Sequence, residues 1–312
     1  MPPAALPAAT VRTGVAASLG AYLLWGFSPL FYRLLGEASA LEILAHRAVW
    51  SLLFTLVLVI LAGNIQALVR ILANRRLMAI LLASSILVSV NWLVFIWAVN
   101  NEKALEASMG YFIMPIVMVL LGRVVLTEHL SRLQLASVLL TFLGVLNLLV
   151  ALGQLPWVAL TLAISFGCYG LVRKMAPVDS LLGLTVECLL LTPIALLYLF
   201  YLHSEGSIVF GTVGLGFDLL LACSALMTAL PLILFTAGAK RLRYATAGML
   251  SYINPSIQFL LAVLLFREPF TTTHLVTFSL IWLGLGIFSH DARKQAVNNE
   301  KRRHQPPVQS EA

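Results

Sequence analysis

The sequence predicts an all-α polytopic membrane protein of ten transmembrane helices, arranged as two inverted five-helix repeats. Three observations lead there. Hydrophobic residues make up 60% of the 312 and charged residues only 11%, against about 25% charged in an average soluble domain. So few charges cannot cover a water-facing surface, and lipid must solvate most of the chain. The apolar residues gather into runs long enough to cross a hydrocarbon core about 30 Å thick. Finally, the second half of the chain repeats the first.

The runs fall at 14–32, 42–62, 77–98, 104–122, 133–151, 155–172, 182–201, 217–237, 244–264 and 274–289. None can be an open sheet, because lipid satisfies no backbone hydrogen bonds. The first is followed by Ala38-Ser39-Ala40, which resembles a signal-peptide cleavage site. Its apolar stretch from Gly14 exceeds the usual core of about 7–15 residues, so it is read as a span. Before it, residues 1–13 are Pro-rich and expected to be disordered; residues 291–312 form a basic tail, with disorder expected from Gln295.

The net charge of +7 does not mark a nucleic-acid binder, because the basic residues sit in short loops and the tail. With ten spans and a cytoplasmic N-terminus, 16 of the 20 fall on the cytoplasmic side. Arg33, Lys103 and Arg267 fall outside, and Arg47 lies within a span. This asymmetry fixes orientation and count together, since an odd number of spans scrambles it. Both termini are expected in the cytoplasm and the protein in the inner membrane. Cys168, Cys188 and Cys223 lie inside apolar runs without metal-ligand spacing, as packing residues do.

Shifted by 140 residues, Pro115-Ile-Val-Met-Val-Leu-Leu-Gly-Arg-Val-Val-Leu-Thr-Glu128 aligns with Pro255-Ser-Ile-Gln-Phe-Leu-Leu-Ala-Val-Leu-Leu-Phe-Arg-Glu268. The register continues through Leu135 on Leu275, Leu143 on Leu283 and Gly144 on Gly284. One residue of slippage sets Gly26 on Gly167 and Arg33 on Lys174. Two repeats are expected, 14–152 and 153–290. With five spans in each, the second enters from the opposite side. Opposed repeats suit a carrier whose site lies at the repeat interface near mid-membrane. A membrane scaffold or sensor is the alternative reading, but it needs no inverted halves.

Several segments carry a resemblance: Ala21-Tyr-Leu-Leu-Trp-Gly-Phe-Ser-Pro29, Glu42-Ile-Leu-Ala-His-Arg47, Asn91-Trp-Leu-Val-Phe-Ile-Trp-Ala-Val-Asn-Asn101, Leu105-Glu-Ala-Ser-Met-Gly-Tyr-Phe-Ile113, Tyr169-Gly-Leu-Val-Arg-Lys174 and Tyr252-Ile-Asn-Pro255. Together, over about residues 14–290, the chain resembles the RarD permeases, a branch of the EamA group in the drug/metabolite transporter superfamily. The resemblance implies a ten-helix permease of the cytoplasmic membrane and no particular substrate. One departure concerns the paired prolines. The family pattern leads one to expect Phe-Ile-Asn-Pro in the first repeat, where this chain has Phe112-Ile-Met114-Pro115. Any polar role there rests on Asn254.

The candidate functional residues are polar or aromatic groups set into apolar spans. Arg47 lies about one and a half turns inside span two, where insertion costs at least about 2.5–3.5 kcal/mol. It is therefore expected to face a wet cavity, with snorkelling to the external interface as the rival. His46 and Trp50 share one face at a spacing of four. Asn91 and Trp92 lie deep in span three, where an amide needs a partner; Trp97 lies nearer its end, where aromatics anchor at the interface. Glu106 opens span four as a helix cap, a gate or a partner to Arg47, and Tyr111 follows it. Pro115 and Pro255 are each expected to remove a mid-span hydrogen bond.

Glu187 is the acid well inside a second-half span. It lies about half the membrane from Arg47, so its expected partner is Arg173 or Lys174, with a proton as candidate coupling ion. Tyr169 and Arg173 share a face at a spacing of four, and Tyr252 precedes Asn254. No carboxylate dyad, His-x-x-x-His pair, nucleophile elbow or phosphate-cradling loop is present, so neither catalysis nor a cofactor or metal is expected. The expected partners are membrane lipids and a small-molecule substrate. Lys301-Arg302-Arg303 in the tail suits anionic lipid.

Overall fold

The computed structural model describes residues 8–101, 104–153, 157–265 and 271–304. Its regular elements are helices: α1 (Ala8–Tyr32), a single 3₁₀ turn (Arg33–Leu35), α2 (Ala40–Leu61), α3 (Ile65–Ala73), α4 (Arg75–Asn100), α5 (Ala104–Val124) and α6 (Arg132–Leu152). The second half holds α7 (Trp157–Met175), α8 (Ser180–Ser204), α9 (Leu215–Arg241), α10 (Tyr244–Leu250), α11 (Ile253–Leu264) and α12 (Thr272–His304). Among the described residues, eight helices are long and apolar enough to cross a membrane: α1, α2, α4, α6, α7, α8, α9 and α12.

Helix starts follow local chemistry. The Ser39 hydroxyl accepts from Glu42 N at α2, and the Asn74 amide oxygen from Arg76 N and Leu77 N at α4. Ser131 and Gln134 form a capping box at α6, and Asp179 accepts from Leu181 N at α8. Each supplies an acceptor to N–H groups that the helix itself leaves unpaired.

The fold departs from the sequence expectations in four places. The segment between the second and third runs holds the short helix α3, which buries Leu68 and Ile71 against the bundle. The tail, expected disordered from Gln295, continues as helix to His304. Asp291 anchors that extension, accepting from the Ser131 hydroxyl at 2.7 Å and from Gln295 Nε2 at 2.6 Å. Likewise α1 begins at Ala8, inside the segment expected to be disordered.

The fourth departure is the ninth run, which breaks between Leu250 and Ile253 into α10 and α11. This corrects the expectation for Pro255, which lies in the first turn of α11 and removes no mid-span bond. Having no N–H to return to Ser251, proline belongs where helical donors are unpaired anyway. Asn254 N takes the Ser251 carbonyl instead, at 3.1 Å. Pro115 does stay inside an unbroken helix, α5, where it offers no donor to the Tyr111 carbonyl.

The helices pack across the two halves of the chain: α6 on α12, α5 on α7 and α10, α1 on α9 and α11, α2 on α8 and α9, and α4 on α7 and α8. Glycines set the closest approaches. A methyl group at Gly144 would stand 2.9 Å from the Thr277 carbonyl oxygen, and one at Gly284 would stand 2.8 Å from that of Ser137. Similarly, Gly26 lies on Ile257 and Gly167 on Val117. Large apolar side chains such as Leu53, Val57, Ile194, Leu197 and Phe200 face outward, as a bundle in lipid allows.

Candidate functional site

Arg47 lies about 10 Å along α2 from its start, at 1.5 Å per residue. Its Nε donates to the Thr228 hydroxyl of α9 at 2.7 Å. The guanidinium lies 5.3 Å from the ring centre of Tyr32, at the end of α1, and 5.4 Å from that of Trp92 on α4. Cation–π attraction at these distances contributes about 0.5–2 kcal/mol per ring. The Tyr111 ring of α5 packs 6.2 Å from that of Phe95 on α4. Four helices from both halves thus meet at one half-buried cation, α2 with α1, α4 and α9. Its planar fork of donors suits a carboxylate or another planar anion.

Thr228 is held by its own bond to Ser224 O at 3.1 Å. Tyr32, Phe95 and Thr228 escaped the reading of the sequence. The aromatics carried a weak signal by ending or lining spans, whereas a lone threonine in an apolar run carries none.

The remaining candidates sort into different surroundings. His46 and Trp50 do share a face: Trp50 Nε1 donates to His46 Nδ1 at 3.2 Å. That face belongs to a separate latch, in which His46 packs 4.7 Å from the Phe210 ring. Glu42 completes it, accepting from Val209 N at 2.8 Å and Phe210 N at 3.0 Å. Asn91 finds its partner on α7, donating to Leu162 O at 2.9 Å and Ser165 Oγ at 3.1 Å. Trp97 is exposed and lies 5.1 Å from the Trp157 ring, as at an outer boundary. The side chain of Glu106 falls outside the described residues.

At the paired prolines, Met114 packs in the core. Asn254 is buried and its Oδ1 accepts from Gln258 Nε2 at 3.0 Å; Gln258 also reaches Trp25 O at 3.3 Å. Tyr252 is fully buried and donates to Phe112 O at 2.9 Å.

Glu187 forms a second polar centre. The Ser84 hydroxyl donates to Oε1 at 2.5 Å and the Tyr169 hydroxyl to Oε2 at 3.2 Å. Arg173 Nε stands 3.3 Å from Oε1, and Nη2 donates to Ser180 O at 3.0 Å. Of the two expected partners, Arg173 is the one that pairs. Lys174 turns the other way, to Ala239 O at 2.6 Å and Leu242 O at 2.5 Å. Arg173 is 0% exposed, and Gly183 leaves room for its guanidinium, which a β-carbon there would strike. Arg173 Nη1 has no hydrogen-bond partner, so this network is incompletely satisfied and costly to keep dry.

Lys240 returns the contact that Lys174 makes. Lys240 Nζ donates to Ala176 O and Val178 O, both at 2.6 Å. Each lysine therefore satisfies the open carbonyls at the end of the other's helix, where a cation is favoured. Nearby, Glu128 caps α10 by accepting from Tyr244 N at 2.5 Å and Ala245 N at 3.0 Å.

The model of the EamA-like transporter family matches residues 12–150. The chain is 42% identical over 287 residues to a Salmonella typhi protein named Protein RarD, covering 92% of this chain and 98% of that one. It is likewise 42% identical over 283 residues to an uncharacterized transporter of Vibrio cholerae, covering 91% and 94% respectively. A Pseudomonas aeruginosa protein named chloramphenicol-sensitive protein RarD is 34% identical, covering 91% and 97%. A crystal structure with 18% sequence identity superposes with a TM-score of 0.72 over 91% of this chain and 99% of that one, a likeness of fold alone.

Proposed function

The chain belongs to the EamA-like transporter family, in its RarD-type branch, and from that premise we propose that it is a secondary transporter for a small metabolite or drug-like molecule bearing a carboxylate or similar anionic group. The observation that carries the reading is Arg47, flanked by the Tyr32 and Trp92 rings and hydrogen-bonded to Thr228. A cation set among aromatics recognises charge and an apolar body together. The Asn91 amide and the close-packed glycines join helices.

Alternating access is the mechanism proposed, with ten spans and both termini in the cytoplasm of a bacterial inner membrane. Its support is the exchange of partners between halves. Pairing the first repeat's helices in order with α7, α8, α9, the α10–α11 pair and α12 maps the contact of α1 with α9 onto that of α4 with α7. The contact of α2 with α9 likewise maps onto that of α4 with α8. Such a bundle has two equivalent ways to close, one at each membrane face. A proton is the candidate coupling ion, carried by Glu187: neutralising that carboxylate would release Arg173 and loosen α7 from α8.

The test is thermal unfolding of the purified protein against monocarboxylates, amino acids and uncharged analogues, followed by counterflow in proteoliposomes with any stabilising compound. Stabilisation by carboxylates that disappears in Arg47→Gln supports the reading. Equal stabilisation by uncharged analogues, unchanged in that variant, defeats it.

A further inference from the structure

Where α4 begins and α7 ends, a cavity of about 710 Å³ opens between the two helices, within the roughly 300–1,000 Å³ range of ligand sites. Leu77, Ile80, Val172, Met175 and Pro177 form its walls, and Arg76 stands at its mouth. This is the end of the bundle that the basic residues assign to the cytoplasm. The chain leading into it is uniformly basic: Arg70, Arg75 and Arg76 lie within seven residues, and no acidic residue occurs from Ala62 to Asn101. Asp179, the acid just beyond Pro177, turns its carboxylate to Leu181 N of its own helix.

A second feature marks the same corner as a lipid boundary. α3 buries Leu68 and Ile71, yet Ile65, Val69 and Leu72 remain exposed at helical spacing. An amphipathic helix with a spare apolar stripe beside arginines is built to lie in the headgroup region, its apolar side in the acyl boundary. An apolar groove open to that boundary and lined by the guanidinium-bearing Arg76, with Arg75 next to it in sequence, matches one class of occupant: an acyl chain attached to a phosphate.

We propose that this groove is a binding site for an anionic phospholipid, with one acyl chain between α4 and α7 and the phosphate on Arg76, assisted by Arg75. A zwitterionic lipid fills the groove but brings a cation to the arginines. A soluble phosphate satisfies the arginines but leaves the groove empty. The site therefore requires both parts of one molecule.

The test uses the full-length protein in detergent, titrated with phosphatidylglycerol, with phosphatidylcholine of the same chains, or with glycerol phosphate, and read by thermal unfolding and native mass spectrometry. Phosphatidylglycerol should bind saturably and raise the melting temperature more than phosphatidylcholine, and glycerol phosphate should do nothing. Replacing Arg76 and Arg75 by glutamine should weaken phosphatidylglycerol binding by about fivefold per arginine. Arg76→Lys, which keeps the charge, should retain binding, a distinction that misfolding cannot produce. Ile80→Trp should block the groove while leaving the arginines in place. Equal effects of the two lipids, stabilisation by glycerol phosphate alone, unchanged binding in the double glutamine variant, or cross-linking of a second copy of the chain into the groove would each overturn the proposal.

Discussion

Tyr252 donates its hydroxyl to the carbonyl of Phe112, the residue 140 positions before it. That separation is the period of the sequence repeat, so the two positions are each other's counterparts. In a pair of repeats related by a two-fold axis, only residues near the axis touch their own counterparts. The glycines agree: Gly144 lies on Thr277, Leu280 and Ile281, while Gly284 lies on Ser137 and Thr141. Adding the period to the second set returns members of the first.

The reciprocal glycines yield the first prediction. Gly144→Ala and Gly284→Ala should each destabilise the bundle by about 1–3 kcal/mol, because the added methyl meets backbone oxygen that cannot move aside. Thermal unfolding in detergent would show the loss. Gly216, whose surroundings are open, is the control and should tolerate alanine. If all three behave alike, the close approach of α6 and α12 is not what limits stability.

Removing one partner of the Arg173–Glu187 pair should cost about 3–5 kcal/mol, since the other charge is left buried and uncompensated. Arg173→Met and Glu187→Gln should both lower the melting temperature, whereas the double substitution should recover part of the loss. A fully additive double variant would mean that the two side chains do not act as a pair.

Asn254→Leu should reduce transport about fivefold, the equivalent of one buried hydrogen bond of about 1 kcal/mol. Met114→Leu, at the counterpart position, should leave it nearly unchanged, since both side chains fill a core site of similar volume. Uptake measured at matched expression decides between them. Mild effects of equal size would reduce both positions to packing.

Arg47→Lys should lose most of the affinity for a carboxylate substrate, because an ammonium cannot reproduce a planar two-point contact. The exchange of Arg47→Glu with Glu106→Arg probes the rival role, a fixed pair that only joins α2 and α5. Full transport by the exchanged variant would remove Arg47 from substrate binding.

Reporter fusions address the topology. A fusion after Gln154 should report the external side and one after Arg293 the cytoplasm, as the distribution of basic residues requires. Inversion at either point would change the number or direction of spans.

The reading from sequence reached far where lipid imposes a one-dimensional rule. Spanning segments need long apolar stretches, so the apolar runs alone located most of the helices. It reached some side-chain relationships too, where one helix turn carries both partners: His46 with Trp50, and Tyr169 on the face of Arg173. It missed α3, because a nine-residue amphipathic helix looks like a polar loop in a hydropathy profile. It also missed the break before Asn254, because a proline reads the same whether it kinks a helix or begins one.

What only the tertiary structure decided is which helices face one another and at what rotation. Thr228 meets Arg47 across 181 residues, and Ser84 meets Glu187 across 103. Nothing in the neighbouring sequence of a lone serine or threonine records such a partner. Apolar spans are nearly interchangeable in lipid, whose tails resemble their own side chains, so hydropathy sets depth and leaves rotation free. Rotation is set by where small residues let backbones approach, and that choice exists only when both surfaces are present.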